Sequence, residues 1–429
     1  MPLLNRILSF SKQHPQPTAA ALRTSSTFPA ASTSVDNSQG ASQAVADLSE
    51  ALGPALDQID LDGEPRTQIS LFLDQLDQEA SKYDNSQLNH QLYPEWDYSE
   101  ADAQLISTAF RGSQSVYSLQ TTDYSSNSSS GTLRGRTVPS FGGTVKASTF
   151  THISGEHGSV FVIAIRGSAS VVDHVVNANH RPANADHFIN SSRLVPPQYR
   201  PKASLETHAG FLKSAEALDP IVSREIHRYI EDYGEKSHIL FTGHSAGGAV
   251  ASLLFLRYTY SPQNLTLPAR FSCITFGAPP VVGSPISIDD SHLCLNIINE
   301  FDMVSRADGT YKDCLVNLVR SMYEEQGVAE DAAIPELSTP TKESNLWQKQ
   351  PKWPTRQSCY SHVGRRIVCL MRPDDTLSTS LRLYAIEVPQ EVFEQLLFCR
   401  VSVHRRTCYE QRVQLLVERK SNKRTGNIA

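Results

Sequence analysis

Between Val160 and Ile298 the chain alternates short, unbroken apolar runs with longer stretches of helical period, and this limits its fold more than any other feature. Val160–Ile165 reads VFVIAI, apolar and rich in β-branched side chains. A strand with no polar face has to be covered on both sides, which is the situation inside a parallel sheet. Phe211, Leu212, Ala215, Leu218, Val222, Ile226, Tyr229 and Ile230 then recur at the spacing of one helix face. His238–Thr242 reads as a strand, Gly247–Tyr258 as a helix rich in Ala, Val and Leu, and Phe271–Phe276 and Leu293–Ile298 as two more strands. Strands alternating with helices predict an α/β fold with a mainly parallel central sheet and helical crossovers. Arg366–Leu370 and Leu381–Val388 add two strands beyond a Pro-, Ser- and Lys-rich stretch at Pro335–Pro354. That stretch reads as a surface insertion, bounded at about residues 313–354.

The 429 residues exceed one ordinary domain, so appendages are expected. Residues 1–43 are rich in Ser, Thr, Ala and Pro and are expected to be disordered. Near the start, Leu3, Leu4, Ile7, Leu8 and Phe10 interleave with Arg6 and Lys12, and no acid precedes Asp36. This is a composition shared by organellar transit peptides and by plain disordered tails, and the tail is the preferred reading. Residues 44–98 are expected to form a helical extension, with helices near Ala44–Ile59 and Arg66–Tyr83. A further helix near Ser99–Ser113 opens the main domain, which runs to residue 416. Residues 417–429 form a basic tail. From Arg400 onward eight Lys or Arg stand against Glu410 and Glu418, whereas the whole chain is 20% charged with a net charge of -6. That overall balance gives no reason to expect a nucleic-acid partner.

Gly243–Gly247 reads GHSAG, with a buried-type strand leading in and an Ala/Leu helix leading out. The GxSxG pattern alone is weak; the strand–turn–helix context makes it a nucleophile elbow with Ser245 at its tip. The flanking glycines suit a strained turn, and the helix start offers free N–H groups to a developing oxyanion. A serine hydroxyl needs a base, and the base needs an orienting carboxylate, in the chain order Ser, acid, His. Asp302 is the first well-placed acid, just past the strand ending at Ile298, while Asp289 and Asp290 read as solvated turn residues.

Five segments share their order with one family. Ile163–Ser168 (IAIRGS), Thr207–Phe211 (THAGF), Phe241–Gly248 (FTGHSAGG), Ile274–Pro279 (ITFGAP) and Asn299–Arg306 (NEFDMVSR) resemble the class 3 (fungal-type) lipases. The resemblance implies an α/β-hydrolase fold and acyl-ester hydrolysis through a Ser-Asp-His triad, with no metal and no cofactor. It carries Ser245 onto the nucleophile, Asp302 onto the acid, and Ser168 and Ala246 onto the two donors of the oxyanion hole. Two histidines compete for the base. His362 sits in YSHVG before a strand and resembles a structural family histidine, whereas His404, in VHRRTCY, opens a helix near the C-terminus where the family carries its base. His404 is the choice. His208 and His244 read as structural. Residues from Ala169 to about Pro182 fall on the family's lid, with Val171, Val172, Val175 and Val176 as its apolar face. Ala246, His174 and Pro280 depart from common family residues, which bears on substrate range rather than on chemistry.

The expected partner is a lipid or other apolar ester, with transient contact at a membrane or lipid-droplet surface. The rival expectation is a lipase-like binding or signalling protein with vestigial catalysis; a third is a peptidase or thioesterase using the same triad. Seven cysteines without CxxC spacing, all beyond residue 270, read as free thiols of an intracellular, cytoplasmic protein, with mitochondrial targeting the alternative.

Overall fold

The computed structural model describes residues 64–117, 131–137, 146–155, 158–167, 181–190, 194, 204–260, 269–331, 351–374 and 377–426. The predicted N-terminal disorder, the helix at Ala44–Ile59, Ser168, the lid from Ala169 to His180 and residues 332–350 of the insertion lie outside them. Helices α1 (Glu64–Ser81) and α2 (Glu100–Ser115) precede strands β1 (Thr132–Thr137), β2 (Ser148–Gly155) and β3 (Gly158–Ile165). A short pair, β4 (Pro182–Asn184) and β5 (Glu206–His208), leads into α3 (Ala209–Tyr233). Then follow β6 (Ser237–His244), α4 (Ala246–Tyr260), β7 (Ala269–Phe276), β8 (Leu293–Asn299) and α5 (Gly309–Asp331). The chain closes with β9 (Arg365–Asp374), β10 (Leu377–Glu387), the one-turn α6 (Gln390–Phe393) and α7 (Arg406–Gly426).

Eight strands form one sheet in the order β1-β2-β3-β6-β7-β8-β9-β10. The five central strands, β3, β6, β7, β8 and β9, run parallel, and antiparallel strands close both edges. The unbroken apolar runs follow from this position. In β3, Phe161, Ile163 and Ile165 face a core shared with Phe211, Leu218, Val222 and Ile226 of α3 and Leu253 of α4. Val162 and Ala164 face the opposite core, shared with Ile106 and Phe110 of α2 and Val413 and Leu416 of α7. Each fully buried Leu, Ile, Val or Phe contributes about 1.5–3 kcal/mol, so neither face can be traded for a polar one. Helix α4 is buried along nearly its whole length, as a helix apolar on every side must be.

Asp313–Asp331, inside the predicted insertion, is helix: α5 packs Tyr311, Leu315 and Leu318 against Leu76 of α1 and Leu397. The predicted basic tail likewise continues α7, which stays helical to Gly426. Among the described residues no helix is long and apolar enough to cross a membrane.

Candidate active site

Ser245 occupies the single-residue turn between β6 and α4 with φ of 59°, in the left-handed region that non-glycine residues avoid. The turn is this tight because its flanks have no side chains. A Cβ on Gly243 would lie 2.3 Å from the carbonyl carbon of Gly247, and one on Gly247 would lie 2.1 Å from the Ile165 oxygen. Ser245 N–H donates to Phe276 O at 2.9 Å, and its carbonyl accepts Gly248 N–H at 2.9 Å. The strained residue is thus held from both sides, and such strain persists where the surroundings over-determine it. Ala246 opens α4, where amides have no intrahelical acceptor.

Asp302 follows β8 and is fully buried. Its Oδ1 caps the 3-10 turn Met303–Arg306 by accepting Val304 N–H at 2.9 Å. Its Oδ2 accepts His404 Nδ1–H at 2.8 Å and the Tyr409 hydroxyl at 2.6 Å. A carboxylate only accepts, so the bond to Asp302 puts the His404 proton on Nδ1 and leaves Nε2 with its lone pair. His404 itself sits in the 3-10 turn Ser402–His404, just before α7.

Several contacts hold that turn over the sheet end. His244 Nε2–H donates to His404 O at 2.8 Å, and the two imidazole rings lie 4.5 Å apart. Burial, with His404 adding to it, holds His244 well below the usual histidine range, so it stays neutral. Asn299 Nδ2–H donates to Val403 O at 2.7 Å. Gly277, just after β7, fits where nothing larger does: a Cβ there would lie 2.7 Å from Asp302 Oδ2 and 3.0 Å from His404 Cε1. Asp302 and His404, predicted as acid and base, are bonded to each other, and His244, next to the predicted nucleophile Ser245, is bonded to His404 O, at the C-terminal edge where parallel sheets carry their sites. Ser245 Oγ and His404 Nε2 are both buried without a hydrogen-bond partner, so the bond between them is unmade.

His362 is elsewhere engaged. Its Nε2–H donates to Ala278 O at 3.0 Å, its ring meets Phe393 edge-on, and burial pushes it down to about 3. His208 stacks on Phe211 with ring centroids 4.3 Å apart. Ser168 lies outside the described residues, but Gly167 before it runs beside the elbow: a Cβ at Gly167 would be 3.4 Å from Ser245 Cβ. Sequence reasoning missed three supporting residues, namely Tyr409, Asn299 and Tyr117, whose hydroxyl accepts Gly167 N–H at 3.0 Å. Only Tyr409 left a signal, its closeness to His404 at a helix start. Among the described residues no group of three or more His, Cys, Asp or Glu is placed to hold a metal ion. A cavity of about 520 Å³ lined by Arg270, His292, His362 and Arg366 lies at the starts of β7, β8 and β9, away from Ser245.

A mainly parallel sheet with an elbow serine after a central strand defines the α/β-hydrolase class. Residues 162–312 match the family described as lipase (class 3). The match takes in about a third of the chain, from β3 into α5, and includes Ser245 and Asp302. The chain is 33% identical over 165 residues to Protein EDS1 of Arabidopsis thaliana, a match covering 35% of this chain and a quarter (25%) of that relative's length. Among solved structures it is similar to a lipase from Rhizopus microsporus var. chinensis, at 14% identity with a TM-score of 0.43 over 75% of this chain and 91% of that one. A triacylglycerol lipase from Penicillium expansum is similar at 13% identity and a TM-score of 0.37, over 69% and 93%.

Proposed function

We propose that this protein is a serine hydrolase that cleaves carboxylic esters of lipids by acyl transfer through Ser245, His404 and Asp302. One observation carries the reading: His404 is fixed by its Nδ1 on a buried carboxylate while its Nε2 and the hydroxyl of a strained serine are both left unpartnered. An oriented imidazole lone pair and a serine hydroxyl that are not spent on other protein groups are available to a reacting group. In free enzymes the nucleophile–base bond is often long and tightens on the substrate.

In the proposed reaction His404 Nε2 takes the Ser245 proton as Oγ attacks the ester carbonyl, and Asp302 stabilises the imidazolium that forms. The Ala246 amide and Ser168 stabilise the tetrahedral oxyanion. The alcohol leaves with the proton from His404, and water, activated by the same base, releases the acid. Residues 169–182 act as a lid over the acyl groove, opening at a membrane or lipid-droplet surface. The proposed lipase domain spans residues 99–416, and the protein works in the cytoplasm.

Ser245→Ala is expected to lower turnover of a p-nitrophenyl butyrate substrate by roughly 10⁴-fold or more. Fluorophosphonate labelling of Ser245 should be lost in His404→Ala and kept in His362→Ala. Full activity without Ser245 would refute the assignment. The rival is a lipase-like domain that binds without turnover. That rival requires the wild-type protein to resist the probe.

A further inference from the structure

We infer that the ester taken by this site carries an anionic group, phosphate or carboxylate, a few bonds from the scissile carbonyl, held by Arg166 and Arg406; the inference rests on the ester-hydrolase reading above. Both arginines are tied in sequence to the reacting residues. Arg166 directly precedes Gly167, which runs against the elbow, and Arg406 begins α7 two residues after His404. Both converge on one ring. The guanidinium carbon of Arg406 lies 4.1 Å from the Tyr117 ring centroid and that of Arg166 lies 5.2 Å away, so the two charges are at most about 9 Å apart. The Tyr117 hydroxyl is bonded to Gly167 N–H, which fixes this ring beside the nucleophile turn.

Some arginines elsewhere hold acids, as Arg372 holds Glu300 at 2.6 Å and Arg400 holds Asp77 at 2.7 Å, and others, such as Arg306 and Arg366, are spent on backbone carbonyls. Among the described residues, Arg166 and Arg406 pair with no carboxylate. Two cations on one ring without a counter-ion repel each other, and an anion within reach of both removes the repulsion. The planar guanidinium matches the oxygens of a phosphate or carboxylate two at a time. Stacking on the tyrosine holds both forks in place before the ligand arrives. A neutral acylglycerol offers these groups only uncharged hydroxyl and ester oxygens, which leave the repulsion in place. An anionic amphiphile places its charge on them while its ester reaches Ser245.

The test compares two matched pairs on the full chain: 1-acylglycerol 3-phosphate against 1-monoacylglycerol, and a p-nitrophenyl ester ending in carboxylate against its neutral isostere. The expected result is a kcat/KM preference of about tenfold or more for the charged member of a pair. The pair that shows it identifies the anion as phosphate or carboxylate. Arg166→Gln and Arg406→Gln should each reduce the charged-to-neutral ratio by about tenfold. Arg405→Gln, removing an exposed neighbouring charge, should move the ratio by less than about twofold. No preference in either pair, or an equal loss in Arg405→Gln, overturns the inference.

Fluorophosphonate labelling in the same preparations separates the two layers. A labelled Ser245 without charge preference rejects the anion subsite alone, and an unlabelled Ser245 rejects the hydrolase reading. In that second case, calorimetric binding of a non-hydrolysable 1-alkylglycerol 3-phosphate still decides. Weaker binding to Arg166→Gln and Arg406→Gln than to wild type keeps the subsite, and equal binding removes it.

Discussion

The buried carboxylate of Asp302 accepts three donors, from His404, Tyr409 and Val304. Removing one changes both the carboxylate's orientation and the balance of its partners. Tyr409 is the donor with the widest reach, because its oxygen also accepts Asn299 N–H at 3.0 Å and so joins the acid to the end of β8. Burial, reinforced by the Asp302 charge, holds its phenol well above the usual range, so it keeps the proton it donates. Tyr409→Phe leaves Asn299 N–H unpaired and should cost about 1–3 kcal/mol of stability. It should lower kcat by about tenfold through a mis-set histidine, the equivalent of about 1.4 kcal/mol in the barrier. Urea midpoints and ester kinetics read the two effects separately; a variant with native kcat would remove Tyr409 from the positioning set. Gly277→Ala tests the same group of residues by intrusion. At φ of 56° its methyl would also lie 2.7 Å from the Tyr409 oxygen, so the acid and its two partners would have to separate. Fluorophosphonate labelling should slow sharply, and a normal labelling rate would show that the site yields without loss.

At the scale of elements, the site depends on two loops far apart in sequence being tied together. Arg400 N–H donates to Phe301 O at 2.9 Å, and the Asn299 side chain holds Val403 O, so the loop after β8 and the turn before α7 move as one piece. Asn299→Ala strands the Val403 carbonyl and should cost about 1–3 kcal/mol. Its characteristic sign would be slower probe labelling with the sheet intact, seen as faster amide exchange confined to residues 299–306 and 400–406. Uniform loss of protection across the sheet would instead make Asn299 a general stability residue. These ties also explain what the sequence hides. The central strands were legible because burial on both faces writes an unbroken apolar run, as in Val160–Ile165. Strands β1 and β2, on one flank of the sheet, carry no such mark: Thr132–Thr137 reads TLRGRT and is mostly exposed, and Ser148–Gly155 reads STFTHISG, with only Phe150 and Ile153 large and apolar. Helix α5 was absorbed into the insertion because the Pro-rich stretch beyond it dominates the local composition. The elbow was legible because its glycines and serine are adjacent. Tyr409 and Asn299 were not, since their roles come from contacts across more than a hundred residues.

At the scale of the whole molecule, covering a sheet on both faces takes histidines out of water along with the apolar side chains. His362 is brought down to about 3 and His238 to about 4, each mainly by burial, with Arg366 and Arg270 respectively adding to it. His244 is held well below its ordinary value for the same first reason. A histidine that is harder to protonate in the folded state leaves the unfolded chain binding more protons once the pH falls below the ordinary value of 6.5. The stability tied to that difference is fully present above 6.5 and drains away as the pH drops toward the folded value. For a single buried histidine the loss is about 1.4 kcal/mol per pH unit, so His362 alone should account for about 2 kcal/mol between pH 7 and pH 5. His362→Gln keeps an amide donor for the Ala278 carbonyl and removes the titration. Whatever its stability at pH 7, the variant should lose about 2 kcal/mol less than wild type on going to pH 5, measured by urea unfolding at both values. Equal losses in the two proteins would mean that His362 takes up its proton in the fold as easily as in the open chain.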